Sequence, residues 1–348
     1  MKINAMAFAR IAYLYVPGGT FLFRDPMIYY NNSSALARRI VEFMGIRLEK
    51  TAHTSPRLDL LKDMYRYMLL TRLVDEYAWE AYQQGRLGFV ASSYGHEAAQ
   101  VGSAICITVG QDFTLPYYRD LGVVLTIGMT PYEVFRTYLQ ARQTHASPEQ
   151  EADKLSRPSP RPVSHWGYYK HNLVTGPAPV ATQIMHAAGI AFACKLRKAA
   201  AVTVAYCGDG ATAEPDFHEG ITFAAQHQLP AIFICEQDCA DLQTSTLSNV
   251  SLPPGLAYRR VDGSDVLAVY EATQEAIRRT KAGQGPTLLE MCVARSTPGS
   301  PNTHDPLRRC EQLLAVENGW DECWAQSLET RLRCEVEQAL DDVLQANP

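Results

Sequence analysis

Two apolar runs with an amphipathic stretch between them mark the centre of the chain. Residues 202–207 and 231–235 contain no residue that breaks a strand, which is the pattern of strands buried on both faces. Between them, residues 214–226 repeat apolar side chains at the spacing of one helical face, namely Phe217, Ile221, Ala224 and Ala225. A strand, a helix and a strand in such short succession predict a βαβ unit, whose two strands are parallel.

The same patterns recur along the chain and predict its fold class. Helices are predicted over 58–82, 95–107, 131–142, 181–197 and 265–282, and strands over 113–117, 260–261 and 287–293. Residues 311–344 are helical in outline, with an interruption at Gly319 and Trp320. Alternating strands and amphipathic helices predict an α/β fold, a doubly wound, mostly parallel sheet flanked by helices.

The chain divides into three predicted parts. An N-terminal arm covers 1–57, an α/β domain covers 58–310 and a helical C-terminal extension covers 311–348. Residues 1–24 contain basic but no acidic side chains, yet they lack a sustained apolar core and a cleavage site with small residues. We therefore predict an irregular N-terminal arm rather than a targeting segment.

The composition narrows the class of protein. The chain has 348 residues, of which 47% are hydrophobic and 20% charged, and a formal net charge of −5. These values predict a globular protein with a large core, and they favour neither nucleic acid nor a membrane as partner. The nine cysteines form no CxxC pair, so zinc is not expected, and Cys207 and Cys235 lie within predicted strands. This pattern indicates reduced thiols and a cytoplasmic location.

The loops after the two central strands suggest a binding site. Residues 208–211 read Gly-Asp-Gly-Ala and residues 236–239 read Glu-Gln-Asp-Cys. We expect both loops at the sheet edge where the strands end, the edge at which open α/β sheets bind ligands. The glycines let backbone N–H groups approach an anion, and the start of the next helix adds positive charge. Asp209 would repel a phosphate unless a cation lay between them, and Asp238 supplies a second carboxylate. The two loops thus predict a magnesium-diphosphate site.

Two other interpretations of the glycine-rich loop stay open. Gly-Asp-Gly is a common turn. Gly208, Gly210 and Ala213 also match a dinucleotide-binding fingerprint, with Asp238 as the ribose carboxylate. However, Asp238 falls beyond the spacing of roughly twenty residues that this fingerprint needs, and Asp209 would face the pyrophosphate. A nicotinamide-dependent enzyme therefore ranks second.

A longer stretch resembles one known family. The sequence GDGATAEPDFHEG at 208–220 resembles the thiamine-diphosphate motif of the alpha subunit of 2-oxo acid dehydrogenases, in their decarboxylating component. Further blocks resemble the family in the same order, at 94–104, 117–120, 179–183 and 260–266. The similarity covers roughly 58–294, and the residues in these blocks resemble the branched-chain (2-oxoisovalerate) type more than the pyruvate type.

The resemblance implies two cofactors, thiamine diphosphate and Mg²⁺, and a set of residues that bind them. The implied cofactor-binding residues are Tyr118, Arg119, Ala178, Val180, Gly208, Asp209, Gly210, Ala211 and Asp238. The implied metal ligands are Asp209, Asp238 and Ala240. His165 lies in a block that resembles the entrance of the active site, and it is the candidate catalytic residue, as a proton donor or a substrate contact. His96, in the first turn of a helix, is expected to be exposed rather than catalytic.

The resemblance also implies a reaction and partners. The reaction would be the oxidative decarboxylation of a branched-chain 2-oxo acid, followed by acyl transfer to a lipoyl group on an acyltransferase core. The family's catalytic glutamate lies in a separate beta subunit, and nothing in this chain resembles that subunit. The active enzyme would therefore be a heterotetramer with a beta subunit, and the arm at 1–57 would wrap a partner.

The chain departs from the family pattern at several positions of the site. Gln237-Asp238 stands where paired asparagines are usual, and Ala178 stands where a serine is usual. Ala240 replaces an aromatic residue, and the loop after Arg295 lacks the usual histidine, with His304 nearby. A degenerate subunit of the same family, with a structural or regulatory role, is therefore the alternative to an active one.

Overall fold

The computed structural model describes most of the chain, in two separate units. The described residues are 12–16, 19–23, 56–144, 166–177, 179–239, 245, 247, 250–296 and 304–346. The two units are Met1–His53 and Thr54–Pro348. The predicted division at 57 and 310 stays a prediction.

The first unit contains a β-hairpin. Strands β1 (Ala12–Val16) and β2 (Gly19–Phe23) pair in antiparallel orientation. The expectation of an irregular arm was therefore wrong for these residues. Tyr, Val and Phe in two runs, separated by Pro17 and Gly18, are a hairpin signal in the sequence.

A parallel sheet forms the centre of the second unit. Its strands are β3 (Phe113–Leu115), β4 (Thr203–Gly208), β5 (Ala231–Asp238), β6 (Ala257–Asp262) and β7 (Thr287–Val293). They lie in the order β3-β4-β5-β7-β6, and every neighbouring pair is parallel. The predicted α/β fold is confirmed, including the parallel pair β4 and β5.

The helices that the structure describes agree with the predicted ones in position, apart from one that was missed. They are α1 (Pro56–Gln83), α2 (Glu97–Ala104), α3 (Leu121–Ile127), α4 (Pro131–Thr144), α5 (Thr182–Leu196), α6 (Pro215–Gln226), α7 (Val266–Lys281), α8 (Pro306–Val316) and α9 (Glu322–Ala346). The missed helix is α3, a run of seven mostly apolar residues that shows no helical period. Gly128 ends it in the left-handed conformation, with φ 116°, which glycine adopts without strain. Among the described residues, no helix combines the length and apolar character that a membrane crossing requires.

Helices cover both faces of the sheet. Successive side chains of a strand point to opposite faces, so the apolar strands need a helical layer on each side. One face packs against α2, α3 and α7 through Val204, Tyr206, Ile232 and Ile234. The other face packs against α5 and α6 through Ala205, Cys207, Phe233 and Cys235. This two-sided burial explains why residues 204–207 of β4 and 231–235 of β5 are apolar at successive rather than at alternate positions.

A second core lies among the helices α1, α4, α8 and α9. The ring of Tyr65 on α1 contacts the rings of Trp320 and Trp324, at centroid distances of 5.4 and 5.8 Å. The backbone at Gly319 packs directly against Leu58, since a Cβ atom at this position would lie 2.1 Å from a methyl carbon of Leu58. The beginning and the end of this unit are thus packed together.

We predict that Gly220→Ala destabilises the fold and that Gly189→Ala does not. A Cβ atom at Gly220 on α6 would lie 2.9 Å from Ile184 Cγ2 and 3.1 Å from its carbonyl carbon on α5, whereas one at Gly189 would meet no atom within 4 Å. Overpacking at Gly220 should lower the free energy of unfolding by about 1–3 kcal/mol. Gly189→Ala should raise it by up to about 1 kcal/mol, because alanine has the higher helix propensity. Urea unfolding of the two variants measures both effects, and equal midpoints would contradict the close contact between α5 and α6.

Candidate cofactor site at the carboxyl edge of the sheet

Three loops from distant parts of the chain meet where β3, β4 and β5 end. Leu115 pairs with Ala205, and Gly208 pairs with Glu236. Because neighbouring strands are only about 5 Å apart, the residues that follow each pair leave the sheet side by side. This register brings the loop after β3, the Gly-Asp-Gly turn and the end of β5 to one edge.

The turn after β4 presents its backbone to solvent. Asp209–Ala213 form a 3₁₀ helix that leads into α6, and Asp209 is half-buried. The Gly210 N–H donates to Asp209 Oδ1 at 2.8 Å. Apart from Gly210 and its chain neighbours, no atom of the described residues lies within 4 Å of the place where a Cβ of Gly210 would be, so a ligand can approach this backbone closely. Asp238, at the end of β5, is exposed at the same edge.

Arg119 follows β3 and is fixed by a chain of hydrogen bonds that reaches α1. Its Nη1 donates to the carbonyl oxygen of Ser92, and its guanidinium lies 5.5 Å from the ring centroid of Tyr118. The Ser92 hydroxyl donates to Asp75 Oδ2 at 2.6 Å, and the Ser93 N–H donates to the other oxygen at 3.2 Å. Burial raises the pKa of the Asp75 carboxyl to about 7. The cationic group of Arg119 is therefore held by the backbone of Ser92, which the Asp75 carboxyl on α1 fixes in turn.

A buried carboxylate lies directly behind this edge. Glu236 Oε2 accepts hydrogen bonds from Tyr117 Oη at 2.8 Å, from His96 Nδ1 at 2.7 Å and from Gln100 Nε2 at 3.1 Å. The Glu236 side chain has no solvent exposure. Three donors on one oxygen compensate for the loss of water around this group.

The expectation for His96 was wrong. His96 precedes α2 as its N-cap residue and is buried, with 3% relative exposure. Gly95 is the reason for this placement, since its φ of 93° and its contact with the Ala294 carbonyl turn the chain into the core. His96 therefore faces Glu236 and not solvent.

Asp120 is a second buried acid beside this cluster. Its Oδ2 accepts from the Tyr117 N–H at 2.7 Å, which closes the loop before α3. Burial and the charge of Glu236 raise the pKa of Asp120 well above its ordinary value. Burial, followed by the same charge, also raises the pKa of Tyr117, whose hydroxyl thus remains a donor. Burial thus favours the neutral form of the Asp120 carboxyl, whose pKa is raised.

Several predicted site residues cannot be placed by this structure. His165, Ala178 and Ala240 lie outside the described residues. Val180 is 48% exposed just before α5, where Ala181 adopts a φ of 70°. The structure thus brings Tyr118, Arg119, the Gly-Asp-Gly turn and Asp238 to one edge, and their roles stay predictions.

The residues that sequence reasoning missed are Glu236, Tyr117 and Gln100. Glu236 ends an apolar run, and a charged residue in such a position is a signal of a buried and paired group. Its partners come from 119 to 140 residues away, so their identity is not readable from local spacing.

The chemistry of the edge fits a magnesium ion bound to a diphosphate. Two carboxylates suit Mg²⁺, and Arg119 and the open backbone of Gly210 suit phosphate oxygens. Within the described part of the chain, no group of three or more His, Cys, Asp or Glu residues could hold a metal ion alone. A cation here would take its other ligands from phosphate and from backbone carbonyls, as Mg²⁺ does at nucleotide and phosphate sites.

Comparison with known proteins agrees with this geometry. The family described as "Dehydrogenase E1 component" matches residues 65–302. The chain is 39% identical over 251 residues to the 2-oxoisovalerate dehydrogenase subunit alpha of Bacillus subtilis, covering 70% of this chain and 73% of that protein. It is 32% identical over 272 residues to the pyruvate dehydrogenase E1 component subunit alpha of the same organism, covering 76% and 67%. The corresponding subunit of Bacillus cereus is 30% identical over 311 residues, covering 83% and 77%.

The matched segment contains the whole parallel sheet and every residue placed at its carboxyl edge. Relatives of this identity and coverage share their fold and family with the chain. The chain therefore belongs to the dehydrogenase E1 component family, as an alpha subunit of the 2-oxo acid dehydrogenases.

Proposed function

We propose that this chain binds the magnesium-diphosphate end of thiamine diphosphate in the decarboxylating component of a branched-chain 2-oxo acid dehydrogenase. The observation that supports the proposal is the parallel register of β3, β4 and β5, because the loops that carry Arg119, Asp209 and Asp238 all follow the carboxyl ends of these strands. The branched-chain substrate is supported by the 39% identity to a 2-oxoisovalerate dehydrogenase subunit, compared with 32% and 30% for the two pyruvate dehydrogenase subunits.

The residues of this chain would bind and orient the cofactor. Asp209 and Asp238, with the carbonyl of Ala240, would hold Mg²⁺, while Tyr118 and Arg119 would contact the diphosphate. The remaining cofactor contacts would come from Ala178, Val180, Gly208, Gly210 and Ala211. His165 would contact the substrate or donate a proton. Thiamine diphosphate, when bound, accepts the electrons that the departing carbon dioxide leaves behind.

The proposed partners would supply the other half of the cofactor site and the group that accepts the acyl fragment. A beta subunit would supply the other half of the cofactor site, in a heterotetramer, and a lipoyl-bearing acyltransferase core would receive the acyl group. The free thiols of all nine cysteines favour a reducing compartment, the cytoplasm.

The identity of residue 238 supports a second candidate function, that of a degenerate subunit. Aspartate in place of asparagine adds negative charge beside the diphosphate, which would weaken its binding. A degenerate subunit with a structural or regulatory role would have the same fold and would bind no cofactor. Membership in the dehydrogenase E1 family argues against the nicotinamide-dependent alternative.

We predict that Asp238→Ala weakens the binding of thiamine diphosphate to the complex with the beta subunit by about tenfold or more in magnesium buffer. The reason is the loss of one of the few protein ligands of the metal, and changes even in the groups around metal ligands reach this size. Asp238→Asn should bind as tightly as the wild type or more tightly, since the amide oxygen coordinates without the extra charge. Calorimetric titration with and without Mg²⁺ measures these affinities.

The matched control for this experiment is Glu335→Ala, which removes an exposed carboxylate from α9. It should leave the affinity unchanged. A wild-type complex that shows no saturable binding would refute the enzymatic function and support the degenerate subunit.

We predict that the purified chain alone has little decarboxylase activity and that adding its beta subunit restores it. The reason is that the catalytic glutamate and the other half of the cofactor site are expected in that subunit. Reduction of an artificial electron acceptor by a branched 2-oxo acid measures the activity. Full turnover by the isolated chain would contradict the need for a partner.

We predict that the reconstituted enzyme prefers 3-methyl-2-oxobutanoate to pyruvate by about tenfold or more in kcat/KM. Burying the additional methyl groups of the branched substrate in an apolar pocket supplies a difference of this order. Steady-state rates with both substrates measure the ratio. A ratio near one, or in favour of pyruvate, would reassign the substrate while leaving the cofactor site untouched.

A further inference from the structure

The buried carboxylate of Glu236 connects the segments that carry the proposed cofactor ligands. It lies two residues before Asp238 on β5. Its three donors come from other segments, with His96 and Gln100 on the N-terminal side of α2 and Tyr117 in the loop after β3. A single acceptor oxygen therefore joins the ends of β5 and β3 to α2.

Gln100 extends this connection to the backbone from Arg119 to Gly122. Its Nε2 also donates to the Arg119 carbonyl at 3.0 Å, and its Oε1 accepts from the Gly122 N–H at 2.8 Å. The backbone from 119 to 122 is thus held by one side chain, whose own amide is bound to Glu236. A shift of Glu236 would be transmitted to Arg119 through two hydrogen bonds.

Tyr117 extends the connection to the Gly-Asp-Gly turn. A Cβ atom at Gly208 would lie 3.5 Å from Tyr117 Cε2, so the ring packs directly against the backbone from which Asp209 emerges. The hydroxyl of the same ring donates to Glu236. The Tyr117 side chain therefore touches the start of the turn with one edge and the end of β5 with its hydroxyl.

We propose that Glu236 and Tyr117 are positioning residues that hold the loop after β3 with Arg119, the Gly-Asp-Gly turn and Asp238 in binding geometry. This inference rests on the proposed function, since it concerns the same cofactor site. Neither residue touches the cofactor in this proposal, and both act through the groups that do. A buried carboxylate that accepts three hydrogen bonds on one oxygen suits this task, because hydrogen bonds to a charged group are short and directional.

The test compares two tyrosines that differ in what their hydroxyl groups contact. Tyr117→Phe removes the hydroxyl that reaches Glu236 and keeps the ring against Gly208. Tyr206→Phe is the control, since Tyr206 on β4 is also buried and its hydroxyl contacts Ser103 at 3.1 Å instead. Both changes remove one buried hydroxyl, so a general loss of stability should affect both variants.

We predict that Tyr117→Phe raises the KM for thiamine diphosphate of the alpha–beta complex by about tenfold, the lower end of the range for groups that orient ligands. The kcat at saturating cofactor should change by less than about twofold, because the reacting groups stay in place once the cofactor is bound. Tyr206→Phe should leave both constants unchanged, although both variants lower the melting temperature. Glu236→Gln should raise the KM as well, since its amide retains one acceptor oxygen but loses the charge.

The outcomes separate this inference from the proposed function. A wild-type complex without saturable binding of thiamine diphosphate overturns the proposed function. A wild-type complex that binds the cofactor, together with an unchanged KM in Tyr117→Phe, overturns the positioning role alone. Equal increases in KM for Tyr117→Phe and Tyr206→Phe also overturn it, because the effect would then be one of general stability.

Discussion

The parallel arrangement of the strands is the constraint on which the rest of the molecule depends. Parallel strands need a long crossover between them, so successive loops at one edge of the sheet come from distant parts of the sequence. In this chain the crossover from β4 to β5 is α6, and the loops beside it follow β3 and β5. A site at this edge is therefore a tertiary construction, which exists only when the whole sheet is assembled.

The buried charged side chains also depend on partners from distant parts of the sequence. Glu97 is fully buried and pairs with Arg72 at 2.5 Å, and Arg72 also pairs with Asp305 at 2.9 Å. Glu236 is buried as deeply, yet its partners are a tyrosine, a glutamine and a histidine. Both arrangements give donors to a carboxylate that has lost its water, although only one oxygen of Glu236 accepts hydrogen bonds from the described residues, and in both the donors lie in other segments of the chain. Removal of one partner from such a cluster leaves the remaining charge uncompensated, so the cost would exceed that of an ordinary hydrogen bond.

The sequence predicted the strands β4, β5 and β7 and the parallel pairing of β4 with β5, because these depend on local patterns. An uninterrupted apolar run indicates a strand buried on both faces, and a glycine turn after it indicates a loop at the ligand edge. Helix α3 was not predicted because a short apolar run shows no helical periodicity. The burial of His96 was missed because its partner lies 140 residues away, and no local pattern encodes that distance.

The contact between α1 and α9 has a consequence for synthesis of the protein. Tyr77 on α1 donates to Glu337 on α9 across 260 residues of sequence, and Tyr65 on α1 donates to Glu311 on the neighbouring α8 across 246. At about 5–20 residues per second, the ribosome needs on the order of ten seconds or more to make the intervening chain. During that time the apolar face of α1 has no native partner on α9 to cover it. The nascent chain is therefore most prone to aggregation before its last helix emerges, and chaperones would act on it in this interval.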